Sequence, residues 1–253
     1  MNRAEKRRQK KLADKAAKTL RPAQENFLVL TEQKQALTIQ QALDLGIKHQ
    51  KAGDLLKAEN IYQQILQAEP NQPVALHSLG MIAHHVGKCD IAVDLIKKAL
   101  AVKPQYAEAY CNLGLIYQDL GKTDEAIFSY RKAIEINPDI AGIHYNLGNV
   151  LQEVGALDEA VDSYRTTISI NSEIINAHVN LGNAFNSLGK LDEAVDSYQK
   201  ALAINPNHNS RFNLGRVLLR VQGKYKEGLK QMRKSRGVIE FVSGKETGYN
   251  ILH

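Results

Sequence analysis

The sequence has no tryptophan, only two cysteines and only five phenylalanines among its 253 residues. Because two cysteines cannot build a disulfide framework, we expect a reducing compartment and predict a cytoplasmic location. No run approaches the ~18 consecutive apolar residues that a membrane-spanning helix requires, so no membrane partner is expected. Residues 1–21 are charged and unlike a secretory signal peptide. With so few aromatic rings, the core must rely on many small and aliphatic contacts.

The formal net charge of +6 is concentrated at the two ends of the sequence. Residues 1–21 hold nine Lys or Arg and two acidic residues, and residues 211–236 hold nine Lys or Arg and one acidic residue. Residues 22–210 are acidic, with 14 basic and 22 acidic side chains. Such an asymmetry bears on partners and solubility rather than on the fold.

A 34-residue period dominates the sequence between residues 39 and 236. Glycines recur at this spacing at Gly53, Gly87, Gly121, Gly155, Gly189 and Gly223. Each is preceded by a Leu-Gly pair, whose glycines are Gly46, Gly80, Gly114, Gly148, Gly182 and, one residue early, Gly215. Alanines keep the period at Ala58, Ala92, Ala126, Ala160 and Ala194. Tyrosines and prolines follow it at Tyr62, Tyr130, Tyr164 and Tyr198 and at Pro70, Pro104, Pro138 and Pro206.

Each repeat is predicted to form two helices. In the third repeat, apolar residues three and four apart predict a first helix over residues 107–120. Gly121 then suits a left-handed C-terminal cap, and Asp124 is predicted to cap the second helix. Gly114 lies inside the first helix, where glycine costs about 1 kcal/mol relative to alanine. We therefore expect the neighbouring helix to approach Gly114 closely, with Tyr130 and its equivalents filling the larger gaps between successive repeats.

This arrangement of Leu-Gly, Gly, Ala, Tyr and Pro resembles the tetratricopeptide repeat (TPR) family. The repeats are also similar to those in the TPR arm of O-linked N-acetylglucosamine transferases. The resemblance implies an all-α, right-handed superhelical solenoid of antiparallel helix pairs, with a concave groove lined by the first helix of each pair. It covers about six repeats, at residues 39–72, 73–106, 107–140, 141–174, 175–208 and 209–236.

Three segments lie outside the predicted repeats. Residues 1–21 are predicted to be a basic extension, partly disordered or helical, and residues 22–38 a linker or N-terminal cap. In the tail at 237–253, residues 238–242 predict a short strand, followed by a turn, that has no partner strand. The tail is interpreted as a vestige of a following domain.

Asparagine occupies the position two residues before the Leu-Gly glycine in four successive repeats, as Asn112, Asn146, Asn180 and Asn213. We call these four residues the asparagine ladder. An asparagine side chain offers both a donor and an acceptor, so such a row can hold an extended peptide by its main chain. This is similar to the asparagine ladder in the TPR arm of O-linked N-acetylglucosamine transferases. Asparagine here is also common in repeats with unrelated ligands, so a purely structural role remains open.

Other positions predicted to face the groove are also polar in the later repeats. Three amide side chains lie four residues after a Leu-Gly glycine. Two more asparagines lie one residue after such a glycine. Together with an aromatic residue three positions before the glycine, these complete the predicted groove lining: Gln118, Gln152, Asn186, Asn149, Asn183 and Tyr145.

No set of residues indicates catalysis, a cofactor or a metal. The acidic pairs, such as Asp124 and Glu125, fall at the starts of second helices, where carboxylates favour the helix dipole. His77, His84 and Cys111 are of residue types that bind soft metals and are predicted to lie close together, but four ligands with a distinctive spacing are lacking. We therefore predict no enzyme activity, no cofactor and no metal.

The sequence is thus interpreted as a non-catalytic scaffold that binds a protein or an extended peptide in its TPR groove. A first alternative is a substrate-presenting arm of, or for, a glycosyltransferase or similar modifying enzyme. A second alternative is a binder of nucleic acid or of an acidic partner through the basic ends, including a basic patch at Arg211, Arg216 and Arg220.

Overall fold

The structure is a computed structural model of the chain. It describes five stretches: 29–30, 36–206, 209–235, 242–243 and 249–250. The predicted basic extension (1–21), most of the predicted linker and most of the C-terminal tail lie outside the described residues. The chain divides into two compact units, Met1–Pro104 and Gln105–His253. We call them the N-terminal and C-terminal units and describe each by itself.

The described part of the N-terminal unit contains four helices: α1 (Ile39–Lys51), α2 (Leu55–Ala68), α3 (Pro73–His85) and α4 (Cys89–Val102). α1 begins with a capping box, in which Thr38 and Gln41 exchange side-chain-to-backbone hydrogen bonds. Before it, β1 (Val29–Leu30) pairs antiparallel with β2 (Ala36–Leu37). Consecutive helices pack against each other, so the unit is built from two antiparallel helix pairs.

The described part of the C-terminal unit contains eight helices: α5 (Ala107–Asp119), α6 (Thr123–Ile136), α7 (Ala141–Glu153), α8 (Leu157–Ile170), α9 (Ile175–Ser187), α10 (Leu191–Ile204), α11 (Ser210–Leu218) and α12 (Tyr225–Ser235). Consecutive helices pack against each other throughout this unit. The first helices of neighbouring pairs also contact each other, α5 with α7 and α7 with α9. Four helix pairs therefore lie in series, with their first helices adjacent.

The turn inside each pair depends on a glycine with a left-handed backbone. Gly121 has a φ of 68°, and no heavy atom lies within 4 Å of where its Cβ would be. Conformation rather than lack of space therefore excludes a larger residue there. The prediction that Asp124 caps the second helix is wrong, because α6 begins at Thr123 with Lys122 at the N-cap. Asp124 lies in the first turn, where its charge still favours the helix dipole.

A tyrosine that faces a glycine organises the core of each regular pair. Tyr130 is fully buried, and a Cβ on Gly114 would lie 2.7 Å from its Cε1 atom. The expected close approach to Gly114 is therefore confirmed. The tyrosine, however, packs on the glycine of its own repeat and not only between successive repeats as we expected. In the last pair, Met232 takes the place of the tyrosine against Gly215.

The predicted all-α solenoid of antiparallel helix pairs is confirmed. The predicted strand at 238–242 reaches the described residues only at its end. There β3 (Val242–Ser243) pairs antiparallel with β4 (Tyr249–Asn250), so the expectation that this strand has no partner is wrong. In the part of the chain that the structure describes, no helix has both the length and the apolar character needed to cross a membrane.

Candidate functional site

All ten residues predicted to line the groove lie on first helices of the C-terminal unit, and each is half-buried. α5 contributes Asn112 and Gln118, and the other helices contribute Tyr145, Asn146, Asn149, Gln152, Asn180, Asn183, Asn186 and Asn213. A half-buried side chain is held by its neighbours and still exposes part of its surface to a ligand. The predicted set is thus placed on adjacent helices in a partly accessible position.

The boundary between α7 and α9 joins four of these polar residues and one further tyrosine, Tyr164 of α8, in a hydrogen-bonded cluster. The buried Tyr164 hydroxyl shares its one hydrogen between two acceptors, Asn149 Oδ1 at 2.9 Å and Gln152 Oε1 at 3.2 Å. Asn180 Nδ2 donates to Asn149 Oδ1 at 2.9 Å and to the Tyr145 hydroxyl at 3.3 Å. Burial, followed by the proximity of Tyr145, raises the pKa of Tyr164, so its hydroxyl stays a donor.

The boundary between α9 and α11 repeats this arrangement. The Tyr198 hydroxyl donates to Asn183 Oδ1 at 2.7 Å, and Asn213 Nδ2 donates to the same oxygen at 3.4 Å. Burial raises the pKa of Tyr198 to about 12, against the opposing effect of the Arg216 charge. In both places, therefore, a ladder asparagine contacts an asparagine of the preceding first helix.

The boundary between α5 and α7 is different. Leu115 occupies the position on α5 that Asn149 and Asn183 occupy on the next two first helices. The ladder residue Asn146 instead hydrogen-bonds the Cys111 thiol. Burial raises the pKa of this thiol, and the hydrogen bond with Asn146 opposes the rise only in part. At the end of α5, Gln118 accepts a hydrogen bond from the Tyr130 hydroxyl at 3.3 Å.

The three arginines of the predicted basic patch do not act together. Arg211 turns toward the last helix, where its guanidinium donates to Gln231 Oε1 at 3.0 Å and to the Pro206 carbonyl. Arg216 and Arg220 are exposed, and the Arg220 guanidinium donates to Asn186 Oδ1 at 2.5 Å. Both line a single pocket with the last amides of the groove, formed by Asn183, Asn186, Tyr198, Asn213, Arg216, Val217 and Arg220.

The sequence reasoning missed the hydroxyl groups of Tyr164 and Tyr198 as parts of the site. The period marked these tyrosines as core residues, which they are, but their oxygen atoms reach the groove amides. A hint was present in the sequence, because a buried tyrosine hydroxyl usually has a hydrogen-bond partner. Among the described residues, no three His, Cys, Asp or Glu side chains are grouped so that they could hold a metal ion.

Comparisons with known families match several parts of the repeat region. A profile described as tetratricopeptide repeat matches residues 107–140 and 175–208, and another with the same description matches residues 129–162. A profile described as TPR repeat matches residues 86–121. No match to a curated protein was found.

Several solved structures are similar to this chain. MamA is 33% identical, with a TM-score of 0.59, and the match covers 64% of this chain and 94% of MamA. YrrB, described as a TPR protein with an unusual peptide-binding site, is 20% identical, with a TM-score of 0.59 and coverage of 67% and 87%. PilF of Pseudomonas aeruginosa is 16% identical, with a TM-score of 0.68 and coverage of 78% and 88%. The last two show a shared fold alone. With these matches and its 34-residue helix pairs, the chain belongs to the tetratricopeptide repeat family.

Proposed function

We propose that the chain is a non-catalytic scaffold whose groove in the C-terminal unit holds an extended peptide by its main chain. The observation that carries the proposal is the row of half-buried amides on adjacent first helices, which includes the asparagine ladder. Amides can pair with the N–H and C=O groups of any peptide, whatever its side chains. Such a surface suits a partner that is extended when bound.

The acidic residues of this unit support the non-catalytic part of the proposal. Asp158 and Asp192 lie in the first turns of α8 and α10 and are highly exposed. Each pairs with a lysine of the following repeat, Lys190 with Asp158 and Lys224 with Asp192, at 3.5 Å. General acid–base catalysis needs convergent groups in a site that shifts their pKa values. Exposed carboxylates in ion pairs at helix starts do not form such a site.

A second candidate function, recognition of an acidic partner, is favoured by the pocket at the α9–α11 end. Arg216 and Arg220 line it, and none of the described residues that line it is acidic. Because the same pocket contains Asn183 and Asn213, the two candidate functions fit one ligand, an extended peptide with an acidic residue near α11. The arginines would then add charge-assisted hydrogen bonds to the main-chain contacts.

Selection of random linear peptides on the purified chain tests the proposed function. A selected peptide is synthesised with a fluorescent label, and its Kd is measured by fluorescence polarisation. Since one hydrogen bond contributes about 0.5–1.5 kcal/mol, a single Asn180→Ala change should weaken binding by about 2- to 10-fold. Replacing all four ladder asparagines with alanine should abolish binding.

The matched control is the double substitution Asp196→Ala with Lys200→Ala. Both residues are exposed on α10, the second helix of its pair, so the Kd should stay unchanged. Thermal melts of every variant separate lost binding from lost folding. The double substitution Arg216→Gln with Arg220→Gln should weaken the binding of an acidic peptide and remove the salt dependence of its Kd. A peptide that binds the folded quadruple alanine variant as tightly as the wild type would overturn the proposal.

A further inference from the structure

Neighbouring repeats meet at two equivalent places at the last two repeat boundaries of the C-terminal unit. In the first-helix contact, the residue one after the Leu-Gly glycine bonds the residue two before the next such glycine, as Asn149 bonds Asn180 at 2.9 Å. In the second-helix contact, the second residue of a second helix pairs with the residue just before the next second helix, as Asp158 pairs with Lys190 at 3.5 Å. The following boundary repeats both contacts with the equivalent residues: Asn183 with Asn213 at 3.4 Å and Asp192 with Lys224 at 3.5 Å.

The first and last repeats carry opposite charges at the positions of these two contacts. In the last repeat, Arg216 takes the leading position of the first-helix contact, and Lys226 takes the aspartate position of the second-helix contact. In the first repeat, Asp44 and Asp54 take the two positions that would meet them in a following repeat. Among the described residues no repeat precedes α1 or follows α12, so none of these four charges makes such a contact within the chain. Between two copies, each contact would join a base and an acid.

The charged positions at the two ends are accessible. Asp44 and Arg216 are exposed, whereas the interior residues at their positions, such as Asn180 and Asn183, are half-buried. Asp44 stays exposed although β2 contacts α1. Lys226 is exposed on the first turn of α12. Both ends therefore present their charge to solvent at the positions where an interior repeat meets its neighbour.

Each end also leaves one apolar residue less covered than its equivalents. Leu45 in the first repeat is half-buried, whereas the leucine at this position is buried in four other repeats: Leu113, Leu147, Leu181 and Leu214. Leu229 in the last repeat is half-buried, whereas the equivalent valines are buried: Val93, Val161 and Val195. Terminal repeats of a solenoid need a polar outer face when nothing covers them. The half-buried leucines add apolar surface that association would remove from water.

We propose that copies of this chain associate head to tail, with the last repeat of one copy docked on the first repeat of the next. Arg216 of one copy pairs with Asp44 of the next, and Lys226 pairs with Asp54, so the two interior contacts continue across the junction as ion pairs. The junction joins two different surfaces, so it produces open chains or closed rings rather than a two-fold dimer. Because Arg216 also lines the pocket at the α9–α11 end, a second copy and an acidic peptide exclude each other there. This inference goes beyond the proposed function and does not rest on it.

One further pair of positions opposes the junction and provides a gain-of-function test. Within the C-terminal unit, Arg131 of α6 pairs with Glu159 of α8 at 2.6 Å. The equivalent positions at the junction hold two bases, Arg233 and Lys57. Lys57 pairs with Asp54 of its own repeat at 3.1 Å, which reduces the repulsion. Lys57→Glu copies the acidic residue of the interior pair and should tighten self-association by about 3- to 10-fold.

Sedimentation equilibrium of the full chain at low ionic strength tests the junction. The weight-average mass should rise with concentration above the monomer mass of 28.2 kDa, and it should fall as salt is added, because the pairs are exposed. Asp44→Arg and Arg216→Asp turn an attraction into a repulsion, so each alone should weaken self-association by about 3- to 10-fold. The two substitutions together in one chain should restore it, since every junction then joins opposite charges again.

The matched control is Asp196→Arg, which makes the same change of charge as Asp44→Arg on an exposed residue of α10, outside both ends. It should leave self-association unchanged, and melting curves show whether each variant remains folded. A loss of association in the control would mean that the basic last helix binds the acidic second helices side-on, which overturns the head-to-tail junction. A chain that stays monomeric up to about 0.1 mM at low ionic strength, or a double variant that does not regain association, would also overturn it.

Discussion

Single glycines show how closely the two helices of a pair are packed. α7 contains two of them in different surroundings. A Cβ on Gly148 would lie 2.6 Å from Tyr164 Cε1, whereas a Cβ on Gly142 would have no heavy atom within 4 Å. Gly148 therefore makes room for the buried ring, and Gly142 has no such packing role. The same residue type thus has opposite effects on stability within one helix.

We expect Gly148→Ala to lower the free energy of unfolding by about 1–3 kcal/mol, because the ring or the helix must move. Gly142→Ala should raise it by about 0.5–1 kcal/mol, since alanine favours the helix and meets nothing. Urea unfolding followed by circular dichroism measures both. Equal effects of the two substitutions would show that Tyr164 does not contact Gly148 closely.

Helix pairs are joined by the tyrosine that each regular second helix contributes. Among the residues whose burial the structure describes, four tyrosines are fully buried: Tyr62, Tyr130, Tyr164 and Tyr198. Each hydroxyl donates to an amide oxygen of the first helix in the same pair, as Tyr62 does to Gln50 Oε1 at 2.9 Å. Burial raises the pKa of all four above the ordinary value of 10.0. A phenolate would lose this donor, so the pairs depend on protonated tyrosines.

The sign of this linkage predicts sensitivity to alkali. A raised folded-state pKa means that the unfolded chain ionises first, at about pH 10. The stabilisation from these protonated tyrosines should therefore be fully present and independent of pH below about pH 10, and the free energy of unfolding should fall above it. Urea midpoints between about pH 8 and about pH 11 measure this fall. Tyr164→Phe should reduce the slope, while Tyr225→Phe, at an exposed residue, should not.

At the scale of the whole molecule, stability in a repeat array is shared between neighbouring repeats. Within the C-terminal unit, helices inside the series contact neighbours on two sides, and α12 packs chiefly against α11. Gly228 is the one buried residue of α12, whereas α8 buries five, Ala160, Val161, Ser163, Tyr164 and Thr167. The C-terminal unit should therefore open from its last pair.

Hydrogen exchange should show this order. We expect amides of α12 to exchange at least about tenfold faster than those of α8, because the free energy of local opening is lower where fewer apolar contacts hold a helix. Mass spectrometry of peptides from each helix provides the measurement. Uniform protection from α5 to α12 would mean that the unit unfolds as one cooperative block.

Much of the fold follows from periodicity in the sequence. A helix places every third or fourth residue on one face, so the 34-residue recurrence of Leu-Gly, Ala and Tyr is enough to predict paired helices and their buried sides. The predicted first helix of the third repeat, 107–120, differs from α5 (Ala107–Asp119) by one residue. The prediction of Asp124 as a cap is wrong because helix starts carry several polar residues, and local composition does not distinguish the N-cap from the first turn.

The candidate site required the tertiary structure for a different reason. Sequence spacing placed the asparagine ladder on one face, but it did not reveal that Asn180 bonds Asn149 or that a tyrosine hydroxyl reaches the same oxygen. Those bonds join side chains that lie 15 and 31 residues apart, and they depend on how far one helix is displaced along its neighbour. Arg211 and Arg216 both belong to the predicted basic patch because of their charge. In the structure Arg211 bonds Gln231 of the last helix, and of these two arginines only Arg216 lines the pocket. The repeat period and the composition thus assign residues to the faces of helices. The hydrogen-bond partners depend on the offset between packed helices, and this offset is a property of two neighbouring repeats rather than of one repeat sequence.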